Sequence, residues 1–373
     1  MVGAGQLARM THQAAVDLDV ELVVVAGSAT EPAVLAGAPH RPGDPRDASA
    51  LLAAAPGAEV VTFDHELVPG PVLAELEAAG LVLRPGPAAL AFAQDKLYAR
   101  SELAARGYPV PAFAAVSGPS DVEAFAAGHG WPLVLKSRSG GYDGRGVKVL
   151  AGPGDLAGFA EGHWGTPGQP AWLVEEHLEL AAELAALVAR RPSGQALAYP
   201  AVRTTQVEGI CRHLVVPAGI PPALEREASD LALRIAGEIG AVGICALELF
   251  VTTAGRLLVN ELALRPHNSG HASIEACATS QFHNHLRAVL DWPLGQTGLV
   301  VPAAATVNLI TPAGDVDPAA NLPAALEVPG ASVHLYAKSS RPGRKVGHVT
   351  ALAGTTEAAL ASAQAAADIL LRR

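Results

Sequence analysis

Residues 257–271, LLVNELALRPHNSGH, constrain this chain of 373 residues more than any other stretch. Leu257, Leu258 and Val259 call for a buried strand, yet Asn260, Glu261, Arg265, His267, Asn268, Ser269 and His271 follow at once. A hydrogen-bonding group left unpaired beside a core strand costs about 1–3 kcal/mol, so something must satisfy these side chains. A turn does not need an amide, a carboxylate, a guanidinium and two imidazoles together. The segment is therefore expected to line a ligand or metal site, with a plain polar turn as the alternative.

Along residues 1–90, short apolar runs alternate with helical stretches. GAGQLARM opens a helix, and 21–26, 58–63 and 80–85 read as strands bounded by Gly and Pro. That rhythm predicts a small parallel sheet with helices on both faces. Only Met1 and Val2 precede the Gly3 loop, so the first strand is either very short or cut off. Residues 91–112 read as one helix carrying Lys96. Antiparallel strands are expected through 131–190, a helix over 222–240, a hairpin from 245–251 and 256–262 around Ala254-Gly255, and a helix over 280–290. Pro293 and Gly295 mark a boundary, and the last 75 residues read as a small α/β tail ending in an alanine-rich helix, 356–371.

A formal net charge of −10 argues against a nucleic-acid surface, which needs a basic stripe. No apolar run is long enough to span a bilayer, and no basic-then-apolar leader opens the chain, so a soluble, untargeted protein is expected. Cys211, Cys245 and Cys277 lack metal-ligand spacing and read as small buried hydrophobes in a reducing compartment. Lysine is scarce, five against 21 arginines, which suggests that it is kept where a compact ammonium is needed. Lys148 reads as plain surface charge; Lys96, Lys136, Lys338 and Lys345 are candidates.

Gly3-Ala-Gly5-Gln6-Leu7-Ala8 looks like a dinucleotide loop, but the second strand ends in LVVVAGSAT with no acid for a ribose hydroxyl. That argues against a nicotinamide site, and hence against a dehydrogenase; a phosphate site at the helix start, with Gln6 as a donor, is the remaining expectation. Ser139 to Gly146, SGGYDGRG, is a glycine-rich loop between two strands, suited to folding backbone N–H groups over phosphates. Lys136 ends the preceding strand within reach of them. Glu175-Glu176-His177-Leu178 ends a strand that could meet an adenine edge, with Glu183 left for ribose hydroxyls. Glu248 and Glu261, each inside an apolar run, suit Mg²⁺ with Asn260 beside them, since opposed carboxylates repel without a cation. Lys338, Arg341, Arg344 and Lys345 surround a Pro-Gly turn that either clamps a phosphate or is simply solvated.

Taken together, the chain resembles the ATP-grasp superfamily and, within it, the N5-carboxyaminoimidazole ribonucleotide synthetase family. The motifs are GAGQLARM (3–10), TFDHE (62–66), QDK (94–96), SGGYDGRG (139–146), VEE (174–176), LELF (247–250), VNE with RPHNSGH (259–271), TSQF (279–282) and KSSRPGRKVGH (338–348). The resemblance implies an α/β (α+β) ATP-grasp fold. A Rossmann-like domain would cover 1–90, an ATP-grasp domain 91–295 with an antiparallel lid at about 112–176, and a small C-terminal domain 296–373.

It also implies the reaction: ATP, bicarbonate and 5-aminoimidazole ribonucleotide give the N5-carboxylated product, ADP and phosphate, through carboxyphosphate, in purine biosynthesis. By the same resemblance, Lys96 and Lys136 neutralise ATP phosphates. Gly141, Tyr142, Asp143, Gly144, Arg145, Gly146 and Val147 close over them. Glu175, Glu176, His177 and Leu178 frame the adenine, Glu183 and Gln206 complete the nucleotide site, and Asn260 joins Glu261 there. Glu248 and Glu261 hold Mg²⁺. Gln6, Leu7, Glu66, Tyr142, Asp143, Arg265, His267, Asn268, Ser269, Lys338, Arg344 and Lys345 surround the ribonucleotide, with Arg265, His267, Lys136 and Asp143 acting on the reacting groups. A cytoplasmic homodimer without nucleic-acid or membrane partners is implied as well.

Three departures from the family pattern are expected to matter. Leu264 stands where proline is usual, which should loosen the loop into Arg265. His283 stands where an acid would complete a capping box with Ser280, at a cost of ~0.5–1 kcal/mol. The short first strand weakens support for the Gly3–Leu7 loop. The competing readings are another ATP-grasp carboxylate–amine ligase and a catalytically silent nucleotide-binding subunit.

Overall fold

A computed structural model describes residues 1–140, 146–158, 164–166, 169–313 and 316–372. Its N-terminal part holds five parallel segments. His40–Pro42 pairs with Val24–Ala26, Val2 bridges both Val25 and Phe63, and Val61 bridges Leu83. In space the third segment lies beside the second, then the first, fourth and fifth. The runs at 58–63 and 80–85, expected as full strands, shrink to single bridges, because Asp64 and Pro85 turn the chain away after two or three ladder bonds. His40–Pro42 escaped the sequence reading because it carries no apolar run. The first segment is as short as feared but fully bonded: Val2 N donates to Thr62 O at 2.7 Å and Gly3 N to Val25 O at 3.1 Å.

The Gly3–Gly5 loop is not open to a phosphate. Gly5 N donates to Asp64 Oδ2 at 2.6 Å, so the chain's own buried carboxylate sits at the start of helix Gln6–Asp17, where the helix dipole favours an anion. The helix expected over 91–112 is two helices, Pro87–Gln94 and Lys96–Ala105. Asp95 adopts an extended backbone between them and caps the second by accepting from Tyr98 N.

The centre is a nine-stranded antiparallel sheet. Leu257–Ala263 lies at one edge, followed by Gly243–Thr252, Leu180–Arg190, Val202–Val207, Ile210–Val216, Ala303–Ile310, Lys345–Ala353 and Ala331–Leu335, with Ala196–Ala198 paired beside Leu180–Arg190. The C-terminal strands therefore extend the central sheet instead of standing apart as a tail. Helix Thr356–Leu370 covers them, and its Ala363, Ala366 and Ala367 let it approach Val307 and Val349 closely. A separate four-stranded antiparallel sheet runs Phe113–Val116, Trp172–Glu176, Leu133–Ser137, Val147–Leu150 and is covered by helix Pro119–His129. Leu180–Arg190, grouped with those strands in the sequence, belongs to the large sheet because residues 184–189 are buried on both faces.

One core joins the N-terminal segments, helices Pro87–Gln94 and Lys96–Ala105, and the Gly243–Ala263 hairpin, through Phe63, Leu73, Leu90, Leu103, Leu247 and Val259. Of the cysteines only Cys245 is fully buried; Cys211 and Cys277 are partly exposed, which corrects the expectation. Among the described residues no helix is long and apolar enough to cross a membrane.

Gly3 has φ of 95°, and a Cβ there would lie 2.2 Å from Asp64 Oδ1. Gly5 lies in ordinary φ space, and its Cβ would stand 2.9 Å from Oδ2. Gly3→Ala is expected to lower stability by about 1–3 kcal/mol and Gly5→Ala by less, read from thermal midpoints. Equal midpoints would contradict this account of the loop.

Candidate active site

The Gly243–Thr252 and Leu257–Ala263 strands form the expected hairpin, and Glu248 and Glu261 are direct cross-strand partners. The register then jumps: Leu249 pairs with Val259, which leaves Asn260 as the extra residue of a β-bulge. A bulge re-aims side chains next to it. Here Lys96 Nζ lies 2.6 Å from Glu261 Oε2, and Lys136 Nζ donates to Asn260 Oδ1 at 2.8 Å.

Lys136 also lies 2.7 Å from Glu175 Oε2, and Arg100 bonds the other oxygen of that carboxylate while donating to Val259 O. Glu175 and Arg100 are almost wholly buried, with side chains 2% and 4% exposed. Burial alone would raise the Glu175 carboxyl; Lys136 and Arg100 outweigh it and hold it below the usual range. The ion cluster ties the small sheet to helix Lys96–Ala105 and to the strand before Asn260.

The hairpin carboxylates differ sharply. Burial, with Glu261 and Glu183 nearby, pushes Glu248 up to about 8. Burial pushes Glu261 the same way, but its contact with Lys96 reverses the direction and holds it low. Paired carboxylates behave this way when only one has a cation in contact.

The RPHNSGH segment returns to the same place. His267 Nε2 lies 3.6 Å from Glu248 Oε1, and Arg265 Nε lies 2.7 Å from Glu66 Oε2. Leu264, expected to loosen this loop, does the reverse: its N–H, which a proline lacks, donates to Glu66 Oε1 at 3.1 Å. Gln94 Nε2 holds the carbonyls of Glu66 and Val68 at 3.0 and 2.6 Å. Burial, then Arg265, lowers His267 to about 3, so its ring is neutral near pH 7. Ser269, expected to face substrate, is buried, and its hydroxyl sits 2.8 Å from His267 Nδ1. Asn268 Oδ1 is buried without a hydrogen-bond partner among the described residues, an acceptor waiting for a donor. His271 turns away into a buried stack of imidazoles, 4.5 Å from His348, which in turn lies 4.4 Å from His334.

Lys338 Nζ lies 2.5 Å from Gln6 Oε1, so the Pro-Gly turn reaches the first helix, where Leu7 is buried. Arg344 bonds Ser339 on its own turn, and Lys345 begins the Lys345–Ala353 strand. Glu176 is spent on Ala112 N at 2.8 Å, while His177 is exposed and Leu178 partly so. Glu183 pairs across to Thr204, and Gln206 follows on that strand after a register shift. Gly146 and Val147 open the Val147–Leu150 strand; Gly141, Tyr142, Asp143, Gly144 and Arg145 lie outside the described residues. His283 leaves the cap itself in place without the reciprocal bond of a capping box: Ser280 Oγ accepts from His283 N, while the ring meets Ser280 Oγ at 2.7 Å and approaches Asp17 at 3.2 Å.

Arg100, Asp64 and Gln94 were missed as site-shaping residues. QDK and TFDHE marked two of these places, but nothing in spacing marks Arg100, which sits on a helix among other charges.

Comparison with known proteins sets this geometry in a lineage. The ribonucleotide synthetase preATP-grasp domain matches residues 1–94, the ATP-grasp domain 101–282, and the phosphoribosylaminoimidazole carboxylase C-terminal domain 304–362. The N5-carboxyaminoimidazole ribonucleotide synthase of Mycobacterium tuberculosis is 47% identical over 94% of this chain and 82% of its own length. The chain belongs to the N5-carboxyaminoimidazole ribonucleotide synthase family. Two solved structures of that family superpose over nearly all of it. The synthetase from Thermus thermophilus has a TM-score of 0.87 at 35% identity, covering 100% of this chain and 98% of its own. The synthase from Aspergillus clavatus, in complex with ADP and 5-aminoimidazole ribonucleotide, has 0.88 at 29%, covering 99% and 97%.

Arg100→Met would leave Glu175 buried with one cation, and breaking a buried pair this way costs about 3–5 kcal/mol. Glu175 ionises below its unfolded value of 4.5, so its contribution is complete above that pH and is lost as pH falls through its native value. Urea midpoints from pH 7 to 3 should show a lower plateau for Arg100→Met and a smaller acid-side decline than in the wild type. A parallel pair of curves would contradict the assignment.

Proposed function

We propose that this cleft carries out the ATP-dependent carboxylation of 5-aminoimidazole ribonucleotide with bicarbonate, a step of purine biosynthesis. The observation that carries the reading is the convergence of Lys96, Lys136, His267 and Arg265 around the Glu248–Glu261 pair. Family membership and the relatives' reaction support it.

Bicarbonate is a weak electrophile. In this reading its oxygen attacks the γ-phosphorus of ATP, the bond to the bridging oxygen breaks, and ADP leaves. The carboxyphosphate formed gives up phosphate, and the substrate amine takes the carboxyl carbon while losing a proton. Lys96 and Lys136 offset charge on the transferring phosphoryl group, where fixed cations act most strongly. Arg265, oriented by Glu66, holds bicarbonate. His267, neutral at its buried position, contributes as a hydrogen-bonding group and not as an imidazolium. Asn268 offers the ribonucleotide its carbonyl oxygen, which has no hydrogen-bond partner among the described residues. Gln6 with Lys338, and Arg344 and Lys345 beside them, form the side proposed to face the ribonucleotide phosphate. Gly141 to Val147, with Tyr142 and Asp143, are proposed to cover the reactants, since carboxyphosphate must be kept from water. Glu175 to Leu178 would meet the adenine, with Glu183 and Gln206 toward the ribose.

The donor set fits a divalent cation. Glu248 and Glu261 are hard oxygen ligands side by side, and a cation would relieve the repulsion that keeps Glu248 high. Mg²⁺ held there would neutralise nucleotide phosphate charge. A homodimer and a cytoplasmic location are proposed from the resemblance and the free cysteines alone.

ADP release by the purified protein, with each substrate omitted in turn, tests the reaction. Full rate should need both bicarbonate and aminoimidazole ribonucleotide. Equal turnover with glycinamide ribonucleotide and formate would point to another ligase, and none under any condition to a silent subunit. Glu261→Gln should cost about 10²-fold or more in kcat with an unchanged thermal midpoint, whereas a wild-type rate would remove Glu261 from the phosphate machinery.

A further inference from the structure

Gln281 is the first residue of helix Gln281–Val289 and is wholly buried. Its side-chain amide grips both backbone groups of one residue. Oε1 accepts from His267 N–H at 2.8 Å, and Nε2 donates to His267 C=O at 2.7 Å. This reproduces the double bond of a β-ladder pair with a side chain in place of a strand. The backbone of Gln281 is held in turn: its N–H donates to Ser273 Oγ at 2.9 Å, and that hydroxyl donates to Gly270 O at 2.6 Å. Gly270 leaves room for the arrangement, because a Cβ there would stand 2.4 Å from Gln281 Oε1.

The imidazole of His267 is fixed independently. Ser269 meets Nδ1 twice, its hydroxyl at 2.8 Å and its N–H donating at 3.4 Å; with Nδ1 accepting from that N–H, the ring proton is assigned to Nε2, the atom 3.6 Å from Glu248. One clamp thus sets where the His267 backbone lies and the other which nitrogen carries hydrogen. A methionine would fill the Gln281 site as well as glutamine, so packing gives no reason for an amide; its two short bonds go to the peptide groups of His267, with His271 Nδ1 a longer contact of Nε2 at 3.4 Å.

We propose that Gln281 is a positioning residue for the carboxylation. Through the His267 backbone it holds the Nε2–H at a fixed depth in the cleft, beside the position of the reacting carboxyl group. The inference rests on the carboxylation reading. A loop residue freed from both bonds shifts by a large part of an ångström, and misplacement of that size costs up to about 10²-fold in rate.

The test compares Gln281→Met and Gln281→Glu with the wild type in steady-state kinetics. Gln281→Met should lose about ten- to a hundredfold in kcat while the KM for ATP stays unchanged, since Lys96, Lys136 and Glu175 do not touch it. Gln281→Glu should be as impaired once its carboxyl ionises and a carboxylate faces the His267 carbonyl. It should recover relative to the wild type as pH falls and a protonated Glu regains an O–H donor; Gln281→Met should not. Wild-type kcat in Gln281→Met, or a rise in the KM for ATP matching the loss of kcat, would overturn the proposal. If neither variant folds, amide hydrogen exchange of wild-type His267 decides: strong protection supports the clamp, and exchange at loop rates overturns it. A wild type without bicarbonate-dependent turnover would sink the carboxylation reading, and the exchange measurement would still judge the clamp.

Discussion

Two carboxylates directly opposite each other on adjacent antiparallel strands repel, and the structure is organised around that repulsion at Glu248 and Glu261. Lys96 answers one of them at 2.6 Å, and Glu248 is left raised to about 8. The bulge at Asn260 shares in this arrangement: an extra residue in the ladder gives Lys136 its own acceptor beside the pair. A hairpin built only for stability would carry apolar or oppositely charged partners at these positions. The conflict survives because the core beneath, from Leu247 to Val259, over-determines the register.

From that hairpin the other elements take their places. Lys136 belongs to the small sheet yet bonds Asn260 on the large one, and Arg100 reaches Glu175 from helix Lys96–Ala105. The cleft is therefore closed at its base by ion pairs, and not by apolar packing alone. On the opposite side Glu66 receives Leu264 N–H and Arg265, so the N-terminal segments and the RPHNSGH loop are joined at the same depth. Three parts of the chain that share little sequence proximity meet through charge pairs desolvated together, an arrangement that specifies geometry more than it adds stability.

Much of this was legible in the sequence where periodicity and chemistry coincide. The 245–262 hairpin, the opposed carboxylates and the polar run after Val259 follow from alternation and from side chains that burial alone cannot justify. The short parallel segments were harder, because a strand of three residues such as His40–Pro42 has no pattern to read. Asp64 filling the Gly3–Gly5 loop was invisible, since a glycine turn does not say which anion it receives. The continuity of the C-terminal strands with the central sheet rests on pairing between Ile210–Val216 and Ala303–Ile310, a non-local contact that no local propensity encodes. Leu264 misled for a related reason: a departure from proline looks like lost rigidity until its N–H is seen to have a partner.

The central proposal is that Glu248 and Glu261 form one cation-binding unit in the proposed nucleotide cleft. Divalent-cation affinity measured by calorimetry with a non-hydrolysable ATP analogue, in the wild type and in Glu248→Gln, addresses it most directly. The account predicts at least about tenfold weaker cation binding in the variant, with loss of one of few hard oxygen ligands. Equal affinity in the two proteins would contradict it.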